Sequence, residues 1–171
     1  SSLLSASMNP FSLFLAPGFR IGWGIVSGDK KRLNGFIDAL NKLLRARLCA
    51  CAPVMASVKA ALEGPQDHLS ALMKKMTPRR DMTFKMMNEI EGVSCVKPMG
   101  AFYAFPKIDV KDDAEFVRSL IMETGVVVVP GSGFGQKPGT QHFRIVFLPD
   151  ENLLSDAYSK FADFMNKWRK R

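Results

Sequence analysis

Phe11-Ser12-Leu13-Phe14-Leu15-Ala16-Pro17-Gly18-Phe19-Arg20-Ile21-Gly22-Trp23 is the stretch on which the reading of this chain turns. An apolar run leads from a serine into Pro17-Gly18, a pair that breaks regular structure and marks a turn. Arg20 then stands alone among apolar residues, between Gly18 and Gly22. A bare guanidinium is costly in such surroundings, so it needs an anion. A carboxylate elsewhere in the chain would make Arg20 half of a structural ion pair. A phosphate would use the planar fork that arginine offers for bidentate recognition. The flanking glycines would let the backbone approach such a group closely. The stretch alone leaves both open.

Outward from it, Phe19 to Val26 is apolar and interrupted by glycine, which predicts a buried strand after a tight turn. Residues 31–47 follow with helical spacing, and Leu33, Phe36, Ile37, Leu40, Leu43 and Leu44 form one apolar stripe. Leu48 to Pro53 reads as a loop of small residues. A second helix is predicted over Val54 to Leu62, stopped by Gly64-Pro65. A long helical pattern covers about 67–90, with Leu69, Leu72, Met73, Met76, Phe84, Met87 and Ile90 as its core face. Pro78 is expected to kink or split it.

After Gly92 the period changes. Val93 to Lys97 and Ala101 to Pro106 are strand candidates. Asp112-x-x-Glu115 is a capping-box-like helix start, and Gly125 is the stop. Val126 to Val129 predicts a buried strand by β-branched content. Pro130 to Gly139 holds four glycines and two prolines and must be a loop. His142 to Leu148 is another strand, and Asp150 caps a last helix with apolar residues at helical intervals. Helices followed by β-β-α-β-β-α predict an α/β fold with a small, mostly antiparallel sheet under helices. A subdomain boundary is placed near residue 30.

Bulk properties narrow the classes. The chain has 171 residues, 47% of them apolar, enough for a packed core. No run of eighteen apolar residues suggests a membrane helix. Ser1 to Ser7 lacks a basic region, so it does not read as a signal peptide, and without a Met at position 1 the chain reads as starting in mid-protein. Cys49, Cys51 and Cys95 are odd in number, without C-x-x-C spacing. Reduced thiols in the cytoplasm are expected and no metal site. The net charge of +8 gathers in Lys30-Lys31-Arg32, Lys74-Lys75, Arg79-Arg80 and the tail from Lys167. Such clusters can attract nucleic acid, but exposed faces and helix ends account for them, and no recognition motif supports nucleic-acid binding.

Two further places carry chemistry. Arg144 is one charge in the alternating apolar segment His142-Phe143-Arg144-Ile145-Val146-Phe147-Leu148. On the pattern alone it reads as an exposed edge position. Pro130-Gly131-Ser132-Gly133-Phe134-Gly135 invites a phosphate-loop reading, but it lacks the Lys-Ser/Thr ending and its glycines open no helix.

Together these segments resemble the fold-type I pyridoxal-phosphate aminotransferases, of the aspartate aminotransferase superfamily. That family follows a Ser-Lys pair with a short apolar run, then Gly, any residue, Arg, any residue, Gly and an aromatic. Lys97-Pro98-Met99-Gly100-Ala101-Phe102-Tyr103, the Pro-Gly-x-x-Phe-Gly loop at 130–135 and the Phe143-Arg144 segment have family counterparts in the same order. The resemblance runs from about Asn9 to the tail. Arg47-Leu48-Cys49, Glu63-Gly64-Pro65, Arg79-Arg80-Asp81 and Asn88-Glu89-Ile90 bring it nearest to archaeal-type alanine or broad-specificity aminotransferases. It implies that residues 1–30 end a large cofactor-binding domain, 31–90 connect, and 91–171 form a small C-terminal domain. It implies pyridoxal 5'-phosphate as cofactor, with Ser12 and Arg20 binding it and Arg144 binding the substrate carboxylate. Phe102 and Tyr103 are expected in the core, and the loop at 130–135 at the mouth of the site. A cytoplasmic homodimer acting on amino and 2-oxo acids is the implied setting, without nucleic acid or membrane partners.

One departure matters most. The family's Schiff-base lysine belongs between Ser12 and Leu13, where none is written. Either the chain lacks it and is a non-catalytic binding module, or the lysine carries the cofactor and so is not one of the twenty letters. Restoring one residue there restores the family interval to Arg20, which favours the second. Cys51 stands in a loop where the resemblance expects Asn and Thr, and which would reach a neighbouring subunit's cofactor phosphate. The family's partners for the pyridine ring are also not in these residues, so the 171 residues alone are expected to be inactive. The implied reaction is transamination, with alanine and 2-oxoglutarate as the guessed pair.

Overall fold

The computed structural model describes residues 5–10, 17–46 and 48–170. The chain divides into two compact units, Ser1–Ala71 and Leu72–Arg171. In the first, β1 (Ser5–Pro10) pairs antiparallel with β2 (Gly22–Ser27), in a register that sets Pro10 against Gly22 and Ser5 against Ser27. A 3-10 turn at Pro17–Phe19 precedes β2. The predicted strand over 19–26 therefore starts later, because Phe19 belongs to the turn and Arg20 takes a positive φ of 52°.

Helix α1 is Lys30–Arg45. Asp29 caps it, its carboxylate accepting the Lys31 N–H at 2.9 Å. That anion is needed, because the first turn has basic residues and no acidic one, the unfavourable sign at a helix N-terminus. Of the predicted stripe, Leu33 is buried and Ile37 and Leu40 are half-buried, whereas Phe36, Leu43 and Leu44 are exposed. The spacing builds the stripe, but no described element covers its far end. Helix α2 is Ala52–Glu63, with Pro53 in its first turn. It stops at Gly64, where a Cβ would lie 2.6 Å from the Ala60 carbonyl oxygen.

Helix α3, Asp67–Glu89, is continuous through Pro78, so of the kink or split expected there the split does not occur. The carbonyl that loses its donor to a proline at this position is that of Lys74, on exposed surface where water can serve. Its buried face also differs from expectation. Met73 is exposed, Leu69, Leu72, Met76 and Phe84 are half-buried, and the buried residues are Thr83 and Met87, followed by Ile90. Thr83 is tolerated in the core because its hydroxyl reaches the Arg79 carbonyl and the Tyr158 hydroxyl, each at 2.8 Å.

The second unit is α/β. Its strands are β3 (Val93–Ser94), β4 (Tyr103–Ala104), β5 (Lys107–Ile108), β6 (Val129–Pro130) and β7 (Gln141–Val146). All described pairs are antiparallel, in the order β3-β5-β7-β4, with β6 also on β7. Residues 103–108 alternate exposed and buried, the period-two signature of a sheet with one face solvated. The four-valine strand is shorter than predicted. Only Val129 enters a ladder, Val128 is buried, and Val127 is exposed, so β-branched content alone placed too much of the run inside.

Two helices cover the sheet's inner face. Helix α4 (Asp113–Thr124) is capped by Asp112, which accepts from the Ala114 and Glu115 N–H groups, and ends on Gly125 at φ 72°. Helix α5 (Glu151–Trp168) is capped by Asp150 through Asn152 and Leu153. Phe116 is the hub of the core. Its ring lies 5.5 to 6.5 Å, centroid to centroid, from Phe143, Phe161, Phe164 and Trp168. Burial in this core pushes the Cys95 thiol up and the Tyr158 phenol to about 12. Among the described residues, no helix is long and apolar enough to cross a membrane, and no cluster of His, Cys, Asp or Glu could hold a metal.

Candidate functional site

The sequence singles out Ser12, Arg20 and Arg144, together with the position between Ser12 and Leu13. Ser12 and that position lie outside the described residues. Arg20 is exposed, just after the 3-10 turn and just before β2. A positive φ in a residue with a Cβ is uncommon and marks a constrained position. The segment therefore presents one cation from a tight, Gly-flanked turn rather than burying it in a strand.

Arg144 is better defined. It lies on β7, which pairs with β4, β5 and β6, with Val129 of β6 opposite Arg144 itself, so it does not occupy a sheet edge. Along β7, Phe143, Ile145 and Phe147 face the core, which turns His142, Arg144 and Val146 to the opposite face. Arg144 is half-buried there, and among the described residues no carboxylate pairs with it. Three other cations of this unit differ in having carboxylate partners. Arg79 lies 3.5 Å from Glu151, and Lys97 and Arg80 both reach Asp81, at 2.9 and 2.8 Å. Hydrogen bonds from Lys97 and then Arg80 hold the Asp81 carboxyl below its ordinary value.

Aromatic rings take the place of an anion. The Arg144 guanidinium carbon lies 4.0 Å from the Phe134 ring centroid and 4.8 Å from that of Tyr103. Each such contact contributes about 0.5–1 kcal/mol when exposed and about 2 when desolvated. Both rings turn a face to the guanidinium carbon, and among the described residues no carboxylate takes its N–H groups. Tyr103 is thus exposed on the outer face, not in the core as expected, whereas Phe102 is half-buried against the core. The alternation of 103–108 fixes this, since Ala104 is the buried neighbour. Phe105 extends the aromatic surface, stacking on His142 at 4.9 Å and meeting Phe134 edge-on at 6.2 Å.

The loop after β6 has its own supports. Asp113, at the start of α4, is buried, and its Oδ2 accepts the Ser132 N–H at 2.7 Å and the Gln136 amide at 3.0 Å. Neither Asp113 nor Gln136 stood out in the sequence, because a second aspartate beside a capping one carries no visible signal. Elsewhere in this unit, a cavity of about 330 Å³ lies between α5 and residues 124–128, lined mostly by apolar side chains. It does not reach Arg144.

A polar fork on an aromatic sheet face suits an acid held by its carboxylate. The family model for class I and II aminotransferases matches residues 13–157. The glutamate-pyruvate aminotransferase AlaA of Haemophilus influenzae is 37% identical over 98% of this chain, which covers 43% of that protein. An alanine aminotransferase structure from Pyrococcus furiosus superposes with a TM-score of 0.85 at 40% identity, covering 98% of this chain and 43% of that one. An aminotransferase structure from Escherichia coli gives 0.84 at 37% identity, covering 96% and 42%. The chain therefore spans about two fifths of the length of the relatives it matches.

Proposed function

From the premise that this chain belongs to the class I and II aminotransferase family, we propose that the protein it belongs to moves an amino group between an amino acid and a 2-oxo acid. The family is generally dependent on pyridoxal phosphate, acts on amino and 2-oxo acids, and is generally dimeric. Alanine with 2-oxoglutarate is the pair we favour, the reverse of the pairing in the name of the Haemophilus relative. The observation that carries the reading is Arg144, a half-buried guanidinium flanked by two rings and without a carboxylate among the described residues. We further assign residues 1–30 to a large cofactor domain, 31–90 to a connector and 91–171 to a small domain, in a cytoplasmic homodimer.

The residues of this chain fit one end of the cofactor. Arg20, constrained on its glycine-flanked turn, is suited to a phosphate, and the resemblance adds Ser12 as a second cofactor contact. No lysine follows Ser12 in the written sequence to meet the aldehyde end, so the fit is incomplete without one between Ser12 and Leu13. When bound, pyridoxal phosphate supplies the aldehyde and the electron-withdrawing ring for the chemistry. Arg144 would fix the substrate by two parallel charge-assisted hydrogen bonds to its carboxylate, which restricts rotation as well as translation. Its rings exclude water from the faces of the guanidinium and so strengthen that pair.

The test uses the intact protein as purified. Its absorbance spectrum is recorded before and after borohydride reduction, and the peptides spanning Phe11 to Trp23 are weighed. A reducible visible-edge band, fixed by reduction onto a lysine between Ser12 and Leu13, supports an aminotransferase. An unbroken Ser12-Leu13 peptide with no band overturns it in favour of a non-catalytic module.

A further inference from the structure

The rings that hold Arg144 come from two different places. Tyr103 is on β4, locked in the sheet opposite Val146. Phe134 is on the glycine-rich turn Gly131–Phe134, which has no ladder of its own. A phenylalanine on such a turn, 43% exposed, would not hold one position over a cation without help. Help is present on both sides of it. Two residues before Phe134, the Ser132 N–H donates to Asp113. Two residues after it, the Gln136 amide donates to the same Asp113 oxygen, and also to Gln141 Oε1 at 3.2 Å.

The acceptor half of that amide is used as well. Gln136 Oε1 lies 3.3 Å from His142 Nδ1. Because the amide nitrogen faces a carboxylate, the amide orientation is fixed and Oε1 can only accept, so His142 carries its proton on Nδ1. His142 in turn stacks on Phe105, whose ring edge meets Phe134. The base of the turn is equally tight. A Cβ on Gly131 would fall 2.5 Å from Gln136 Oε1 and 2.7 Å from His142. Asp113 itself stands in the first turn of α4, where the helix N-terminus favours negative charge.

We infer that Asp113 and Gln136 form a latch that fixes Phe134 against Arg144, and that they are positioning residues for recognition of the substrate carboxylate although neither touches it. The inference rests on the proposed role of Arg144. The latch keeps the guanidinium in one rotamer before the substrate arrives. Freeing it adds the cost of immobilising a long side chain on binding, about tenfold in affinity.

The experiment uses the intact protein with Gln136→Met, which keeps the volume and removes every hydrogen bond, and Phe134→Leu, alone and combined. Two readouts are taken. The Arg144 Nε–H NMR resonance reports the ring-current shift from Phe134 and Tyr103. Steady-state kinetics with pyruvate give KM and kcat separately. Gln136→Met is expected to move the Arg144 resonance toward its random-coil position and to raise KM for pyruvate about tenfold, with a much smaller change in kcat. In the Phe134→Leu background it is expected to add little, because both act through one contact. An unmoved resonance, or effects that multiply, overturns the latch. Arg144→Ala is the control. If it leaves KM for pyruvate unchanged, the carboxylate role falls and the positioning role falls with it, and the resonance still reports separately whether the latch holds Arg144.

Discussion

Arg144→Lys tests the site most directly. Lysine keeps the charge but replaces a planar fork with a point donor. Two losses follow. One is the second hydrogen bond to the carboxylate, which for charged partners contributes about 1.5–3 kcal/mol. The other is contact with the rings of Phe134 and Tyr103, at 4.0 and 4.8 Å in the present arrangement; a mobile ammonium retains part of it, so we assign it no separate weight. The expected fall in kcat/KM for L-alanine is therefore roughly 10- to 150-fold. The assay follows 2-oxo acid formation by the intact protein, with alaninamide as a second substrate. The amide has no carboxylate, so its slower turnover should be nearly indifferent to the substitution. A variant within twofold of the wild type on alanine, or an equal fall on both substrates, would refute the assignment of Arg144 to the carboxylate.

Four further outcomes are expected. Gly131→Ala should disturb the loop, since the added Cβ meets Gln136 and His142 below 3 Å; faster amide exchange at Ser132 checks it. Asp150→Ala removes the cap of α5 and should cost about 1 kcal/mol in denaturant titration. Phe116→Ala empties the hub of the core and should cost about 3–5 kcal/mol, so its failure to lower the denaturation midpoint would contradict the described packing. Tyr158 gives a pH test: burial raises its phenol from 10.0 to about 12, so its stabilising contribution is complete below pH 10 and is lost as pH rises toward 12. Across that window stability should fall by about 2–3 kcal/mol, and Tyr158→Phe should flatten the slope while the Thr83 hydroxyl keeps its bond to Arg79.

The parts of the fold legible in the sequence are those set by local chemistry. Asp112 and Asp150 announce α4 and α5 because a carboxylate at that position accepts N–H groups within its own turn. Gly125 marks the end of α4 because the chain there needs a positive φ. What was misread depends on distant partners. Helical spacing offered Met73 to the core of α3, but Thr83 is buried there beside Met87, its hydroxyl met by the Arg79 carbonyl and by Tyr158 from α5. The valines at 126–129 look uniformly suited to a buried strand, yet β7 leaves room for just one of them beside Arg144.

The same distinction explains the site. A single charge in an alternating strand is visible in the sequence, where the pattern favours an exposed edge and the family resemblance a recognition group. The sequence cannot separate them, because the deciding facts are β7's neighbours on both sides and the two rings brought in from separate segments. Tyr103 even misleads, since an aromatic in an apolar segment is ordinarily core, and only the strict alternation of its neighbours turns it outward. Once Tyr103 and Phe134 are in place, an edge role no longer accounts for Arg144. A surface arginine with nothing to bind gains little from being fixed against two rings on a loop that is itself tied at both flanks, whereas an arginine that must meet a planar anion in one orientation gains from each of those constraints.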